Sequence, residues 1–167
     1  MVWPQAPQSV HFHKRMSTSG QRHGQRFPRM RVQYHFRMSP QGLLAWNVHR
    51  LIDLSRGLER KRIPLSSIRE LDEPYWSGGS DQRLTCRDVV EHARLMQECD
   101  LAFPVILSSD GRMMDGMHRI CKALLLELDS VEAVRFEQDP QPDFIGVDPD
   151  DLPYADDDLS DEATRAR

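Results

Sequence analysis

Five consecutive residues, Asp115-Gly-Met-His-Arg119, combine the chemical groups that bind small anions. The glycine among them lets backbone N–H groups approach a ligand closely, and the histidine and arginine add side-chain donors. The apolar residues that follow recur at helical spacing, and a helix start presents unpaired N–H groups and a positive dipole end. This segment, called the DGMHR segment below, therefore predicts a phosphate or small-anion site. Its candidate ligand-binding residues are Gly116, Met117, His118 and Arg119.

Three carboxylates are candidates for catalysis. Asp115 could orient Arg119, hold a Mg²⁺ ion carried by a nucleotide, or take a proton, and its ordinary structural role is a helix N-cap or turn acceptor. Glu70 and Glu73 open a long loop after a predicted strand. They could act as general base or hold Mg²⁺ if the loop folds over the DGMHR segment, and the alternative is a solvated acidic turn.

Several other residues have a structural explanation beside a functional one. Tyr75 and Trp76 could stack on a nucleobase, but small domains also use such rings to cover their core. We expect Trp46 to pack in the interior, with His49 at its edge. A thiolate at Cys121 would be reasonable near a helix start, yet its position in the apolar stripe of the helix predicts a core residue.

The elements around the DGMHR segment predict a small α/β (α+β) domain with a mixed sheet and flanking helices. Asp110-Gly111 predicts the hairpin turn before it, and Val89, Ala93 and Met96 are expected to form the apolar face of the preceding helix. The predicted elements are a helix from Ser39-Pro40 to near Gly57, a strand over 62–68, a loop over 69–84, a helix from the Thr85/Asp88 capping box to Cys99, strands on both sides of the turn, the DGMHR helix, and a strand over 131–136.

Charge is unevenly distributed along the 167 residues, of which 39% are apolar. Residues 1–38 contain seven Lys and Arg and no acid, whereas the remainder contains 15 basic and 26 acidic residues, a balance of −11. Eleven acids and no Lys or Arg lie between Glu137 and Glu162. We therefore expect a domain over 38–137, a disordered basic arm over 1–37, and a largely disordered acidic tail over 138–167.

The basic arm has three explanations: contact with nucleic acid, a transit peptide, or a misassigned start with Met30 or Met38 as the true first residue. No stretch approaches the about 18 apolar residues of a membrane span. The three cysteines are widely spaced and form no Cys-x-x-Cys pair, which speaks against zinc and disulfides. We expect a cytoplasmic protein with reduced thiols and no membrane partner.

The hairpin, the DGMHR segment and the elements around it resemble the ParB/sulfiredoxin superfamily over residues 60–137. The resemblance implies a compact α/β domain whose Gly-x-His-Arg-type turn binds nucleotide phosphates. Sulfiredoxins carry a catalytic cysteine where this chain has Met117, so their chemistry is not expected. ParB partition proteins have Arg-Arg at the turn and a following helix-turn-helix, whereas this chain has His118-Arg119 followed by an acidic stretch, so a complete partition protein is not expected.

Free serine kinases of this superfamily have Asp-Gly-His-His-Arg, to which the DGMHR segment is similar except at Met117. Their catalytic glutamate follows the first strand, which implies Glu70 or Glu73 here. The resemblance thus implies a nucleotide ligand (ATP, ADP or CTP), Mg²⁺, and phosphoryl transfer to a small hydroxyl substrate. The alternative is a non-catalytic regulatory module that binds a protein partner through its acidic tail. DNA is not expected to bind the core domain, whose net charge is negative.

Overall fold

The computed structural model describes residues 32–76 and 83–154, and within these residues the chain forms seven strands and three α-helices. The strands are β1 (Tyr34–Ser39), β2 (Gly42–Asn47), β3 (Lys61–Pro64), β4 (Val105–Leu107), β5 (Met113–Asp115), β6 (Ser130–Arg135) and β7 (Phe144–Ile145). The helices are α1 (Val48–Ser55), α2 (Cys86–Glu98) and α3 (Met117–Leu125). Most of the predicted basic arm and the end of the acidic tail lie outside the described residues.

Two sheets organise the fold. The larger sheet has the order β3-β6-β4-β5, in which β4 and β6 run parallel and the other neighbours are antiparallel. The smaller sheet has the order β1-β2-β7 and is antiparallel throughout. The predicted α/β fold with a mixed sheet and flanking helices is therefore confirmed.

In the larger sheet, β4 is buried on both faces: its successive side chains point to opposite sides, and all three are buried. Val105 and Leu107 of β4 pack in one core with Met117 and Ile120 of α3. Ile106 packs in a second core, where the sheet meets β2 and α1. The members of that second core are Trp46, Leu51, Ile106, Met114, Val134 and Phe136. The expectation that Trp46 packs in the interior is confirmed.

The helix predicted from Ser39-Pro40 is wrong in its first half. Residues 34–47 form the β1–β2 hairpin, whose turn uses Gly42 at a φ of 108° and a bond from the Gln41 N–H to Ser39 Oγ. The helix begins only at Val48, where the Asn47 side chain accepts bonds from two backbone N–H groups of the first turn. The apolar residues before Asn47 belong to a strand and those after it to a helix, and together they imitate one helical pattern.

Two other elements differ from their predictions. The strand predicted over 62–68 ends at Pro64, and the chain continues through short 3-10 turns at Leu65–Ser67 and Arg69–Asp72. The α2 helix and its capping box are confirmed, but its predicted apolar face is wrong. Val89 is 55% exposed, and no residue of α2 is fully buried. This helix packs against α3 through polar and half-buried side chains instead.

The folded part extends beyond both predicted boundaries of the domain. β1 begins at Tyr34 rather than after residue 37, and β7 pairs with β2 although it lies in the predicted tail. The indole of Trp46 donates a 2.7 Å bond to the Pro140 carbonyl, and Leu152 is buried. Residues 138–154 thus complete the smaller sheet. Within the described residues, no helix has the length and apolar character needed to cross a membrane.

Candidate functional site

The DGMHR segment runs from the last residue of β5 into the first turn of α3, as its sequence predicted. Gly116 joins the two elements at a φ of 112°, a conformation that side chains rarely tolerate. A Cβ at this position would lie 2.8 Å from both Arg119 Nη2 and Val105 Cγ1. The glycine therefore allows the abrupt strand-to-helix turn and the close packing of Arg119 above it.

Arg119 is held by two contacts on one side of its guanidinium group. Nη2 donates to Asp115 Oδ2 at 2.7 Å and to the Pro104 carbonyl at 3.3 Å. Asp115 thus makes the contact with Arg119 that the orienting role, one of its three predicted functions, requires. The Nε atom of Arg119 is buried and has no hydrogen-bond partner among the described residues. Buried donors are seldom left unpaired, so this atom indicates a place for a ligand or water.

His118 is paired with His92, a residue of α2 that the sequence did not single out. His92 Nδ1 and His118 Nε2 lie 2.9 Å apart, and the ring centroids lie 5.2 Å apart. These two distances together mean that the rings meet end to end, with the hydrogen bond along their common axis. Burial, assisted by the neighbouring His92, lowers the pKa of His118 to about 4. His118 is consequently uncharged near neutral pH and offers a hydrogen bond rather than a positive charge.

Trp76 covers this histidine pair. Its indole stacks on His92 with centroids 4.0 Å apart and planes at 16°, and it lies 5.2 Å from the His118 centroid at 20°. The aromatic residue that sequence reasoning proposed for a nucleobase is therefore already in contact with two imidazoles. The interaction fixes the segment Glu73–Trp76 against the start of α3.

Arg112 joins the two glutamates that were predicted catalytic residues. Glu70 is 3% exposed and accepts bonds from the Met113 N–H at 3.0 Å and from Arg112 Nε at 2.9 Å. Glu73 accepts from both terminal nitrogens of Arg112, at 3.0 and 2.5 Å. The alternative of a solvated acidic turn is wrong for Glu70. Nothing in the sequence pattern distinguishes Arg112, since a cation beside a hairpin turn is ordinary.

A cleft of about 140 Å³ lies between this segment and α3. Its lining consists of Glu70, Leu71, Glu73, Pro74, Tyr75, Trp76, Leu84, Met117 and Cys121. The predicted base candidates and the start of α3 thus border one cavity, although Met117 is the only member of the DGMHR segment that lines it. Burial, together with the negative charges of Asp115 and Glu70, raises the pKa of Tyr75 well above its usual range.

The three carboxylates proposed for Mg²⁺ are all engaged by arginines: Asp115 by Arg119, and Glu70 and Glu73 by Arg112. A divalent ion would therefore compete with a guanidinium group at each of them. Among the described residues, no group of three or more His, Cys, Asp and Glu side chains is placed to hold a metal ion. These side chains do not fit a protein-held Mg²⁺.

Cys121 is half-buried and packs against the core that contains α3, as its position in the apolar stripe predicted. Burial raises the pKa of its thiol, which keeps the sulfur protonated near neutral pH. Cys86 and Cys99 are also free thiols. A nucleophilic role for Cys121 has no support from this environment.

No family model matches the chain, and neither a curated protein nor a solved structure was found to be similar to it. The ParB/sulfiredoxin resemblance therefore depends on the DGMHR segment and the elements that flank it.

Proposed function

We propose that this chain is a ParB/sulfiredoxin-like domain that binds a nucleotide, with the phosphates at the start of α3. The observation that carries the proposal is the buried Arg119 Nε, a cationic donor beside the first turn of the helix for which the described part of the chain supplies no acceptor. A phosphate oxygen would satisfy this donor and would be attracted by the guanidinium charge.

The backbone supports an anion at the same place. The N–H groups of Met117 and His118 belong to the first turn of α3, where no preceding helical carbonyl can accept from them. Gly116 has no side chain over this turn, and the dipole of α3 favours negative charge there. Asp115 offsets part of the charge of Arg119, so we expect moderate rather than tight affinity for ATP, ADP or CTP.

Binding without catalysis is the second candidate function, and a specific observation favours it. A general base needs a free lone pair within reach of the substrate hydroxyl. Glu70 is buried and accepts two bonds, while Glu73 is held by a two-pronged pair with Arg112. Phosphoryl transfer to a small hydroxyl substrate would require Glu73, the more exposed of the two, to leave Arg112. A regulatory or partner-binding module requires no such change.

Nucleic-acid binding through the basic arm has less support. Arg37, the last cation of the predicted arm, lies in β1 and pairs with Asp139 at 3.2 Å. It belongs to the folded sheet and is not available as a free phosphate contact. The other cations of the arm lie outside the described residues.

Calorimetric titration of the full chain with ATP, ADP and CTP, each with and without Mg²⁺, tests the proposal. Arg119→Lys keeps a positive charge but removes Nε, and we expect it to weaken binding by at least about tenfold, as the loss of a charge-assisted bond does. Arg94→Lys on the exposed face of α2 is the matched control and should bind as the wild type does.

Two results would contradict the proposal. One is the absence of heat with every nucleotide from a wild-type protein with an intact cooperative unfolding transition. The other is equal binding by the Arg119→Lys variant. Phosphorus NMR of the bound mixture separates the two candidate functions, because only an enzyme converts the nucleotide over time.

A further inference from the structure

We propose that the cleft between Glu70–Trp76 and α3 is a binding site for a small organic cation of the alkylammonium class. The proposal does not depend on the nucleotide site, which lies at the start of α3 and shares only Met117 with the cleft. Three features of the described residues carry it: the charge of the lining, the arrangement of the aromatic rings, and the size of the cavity.

The charged side chains that line the cleft are acidic. Glu70 and Glu73 both line the cleft, and no lysine or arginine does so within the described part of the chain. Arg112 contacts both carboxylates without forming part of the lining, so it neutralises one of their two charges. A net negative charge therefore remains at the wall. Burial is the main cause that raises the pKa of Tyr75, and the negative charges of Asp115 and Glu70 add to it.

Two aromatic rings in the lining stand nearly perpendicular to each other. The centroids of Tyr75 and Trp76 lie 6.2 Å apart and their planes meet at 80°. Perpendicular rings form a corner in which a cation can contact the negative face of one or both π-systems. Leu71, Pro74 and Met117 add apolar surface for the alkyl groups.

Trp76 is held in place before any ligand arrives. It stacks on His92 and His118, and burial lowers the pKa of both histidines, so its neighbours are uncharged near neutral pH. The indole is thus fixed by neutral rings and does not already bind a cation. A fixed ring loses little conformational freedom on binding, which favours affinity.

The cleft volume of about 140 Å³ limits the ligand to a headgroup of a few heavy atoms. A trimethylammonium group is compact, weakly hydrated and of the right charge, whereas an anion would meet two carboxylates. The same cleft would take a neutral branched alkyl group by the hydrophobic effect alone. The charge of the ligand is therefore the variable that tests the proposal.

Choline and its neutral carbon analogue 3,3-dimethylbutan-1-ol provide that test, because they differ in charge and hardly in shape. Calorimetric titration of the full chain should give choline an affinity roughly three- to thirtyfold higher than the neutral alcohol, the range of a cation–π contact. Trp76→Leu should abolish the preference, and Trp76→Phe should keep part of it. Glu73→Gln should weaken choline alone, and Glu132→Gln, at a partly exposed residue of β6 that pairs with Arg62 away from the cleft, serves as its control.

Equal affinity for choline and the neutral alcohol would overturn the proposal and leave an apolar cleft. No binding of either ligand to a wild-type protein that unfolds cooperatively would also overturn it. Both tests are made without nucleotide, so the nucleotide proposal can fail while the cation site stands, and the reverse holds too.

Discussion

His92 and His118 join α2 to α3 through one hydrogen bond, 2.9 Å long, between two uncharged imidazoles. This hydrogen bond helps to hold α2 in place, because no residue of α2 is fully buried. Near the C-terminal end of α2, the side chain of Lys122 in α3 donates to the carbonyls of Gln97 and Cys99. Trp76 stacks on both histidines, so the segment Glu73–Trp76, α2 and α3 meet at the two imidazole rings.

The free energy of unfolding should fall as the pH is lowered from about 6.5 to about 4. Burial lowers the pKa of His118 and of His35 to about 4 from the ordinary 6.5, so between these values the unfolded chain binds more protons than the native one. The stabilisation is complete above pH 6.5 and is lost as the pH approaches 4. Around His118, Arg119 and His92 add to the lowering, whereas Asp115 and Glu91 oppose it.

Urea unfolding at pH values between 4 and 8 measures this dependence. His118→Gln removes one of the two histidines whose pKa is lowered to about 4, and His35→Gln removes the other, in the smaller sheet. Each substitution should therefore reduce the slope of the unfolding free energy against pH. A wild-type curve without a slope in this window would contradict the prediction. A slope that neither substitution changes would assign the effect to other groups.

Gly116→Ala should destabilise the protein by about 2–4 kcal/mol, the sum of backbone strain at positive φ and of overlap in a packed site. The new methyl group would lie 2.8 Å from Val105 Cγ1, which is buried in β4 and cannot move far. Gly57→Ala is the matched control, because a Cβ there meets nothing within 4 Å. Thermal and urea unfolding compare the two variants, and equal stabilities would show that the turn tolerates a side chain.

Local patterns were sufficient for the elements that position the DGMHR segment. The hairpin turn at Asp110-Gly111, the capping box at Thr85 and the start of α3 are each specified by neighbours within a few residues. For the same reason the strand-to-helix turn at Gly116 was predictable. The first helix was overextended because Leu44 lies four residues before Val48 and so continues the apolar spacing of α1, whereas pairing with β1 decides its conformation.

The partners of the site residues were not predictable, since they come from distant segments. His92 meets His118 across 26 residues, and Arg112 meets Glu73 across 39. Nothing in the periodicity of α2 distinguishes His92 from its other polar residues. The packed segment 138–154 was hidden by its acidic composition, although Phe144 and Leu152 supply the apolar contacts.

Glu70→Ala should cost about 2–4 kcal/mol of stability, because it leaves a buried N–H and one nitrogen of a guanidinium group without their acceptor. The Glu70 carboxylate accepts from the Met113 N–H and from Arg112 Nε, and its side chain is only 3% exposed. Asp53→Ala removes an ion pair with Arg56 in which both side chains are more than half exposed, and it should change stability by less than about 0.5 kcal/mol. Equal losses in chemical unfolding would mean that Glu70 is no more than a surface charge.

Truncation after residue 137 should abolish cooperative folding, although composition predicts the tail to be dispensable. The deletion removes β7 and three acceptors that the rest of the domain uses: the Pro140 carbonyl for Trp46, Asp139 for the Ser109 N–H, and Asp143 for the Asn47 N–H. It would leave the buried indole of Trp46 unpaired and one edge of β2 open, and each unpaired buried donor costs about 1–3 kcal/mol. Truncation after residue 154 keeps every one of these contacts and is the control.

Near-UV circular dichroism and urea unfolding of the two truncated proteins distinguish the outcomes. The 1–154 protein should keep the near-UV signal of its packed aromatic residues and a single sharp transition, while the 1–137 protein should lose both. If the 1–137 protein instead unfolds with an unchanged midpoint and slope, β7 and the contacts of residues 138–154 contribute nothing to the stability of the domain. The slope is informative here because it scales with the surface exposed on unfolding, so a loss of β7 and its contacts must lower it.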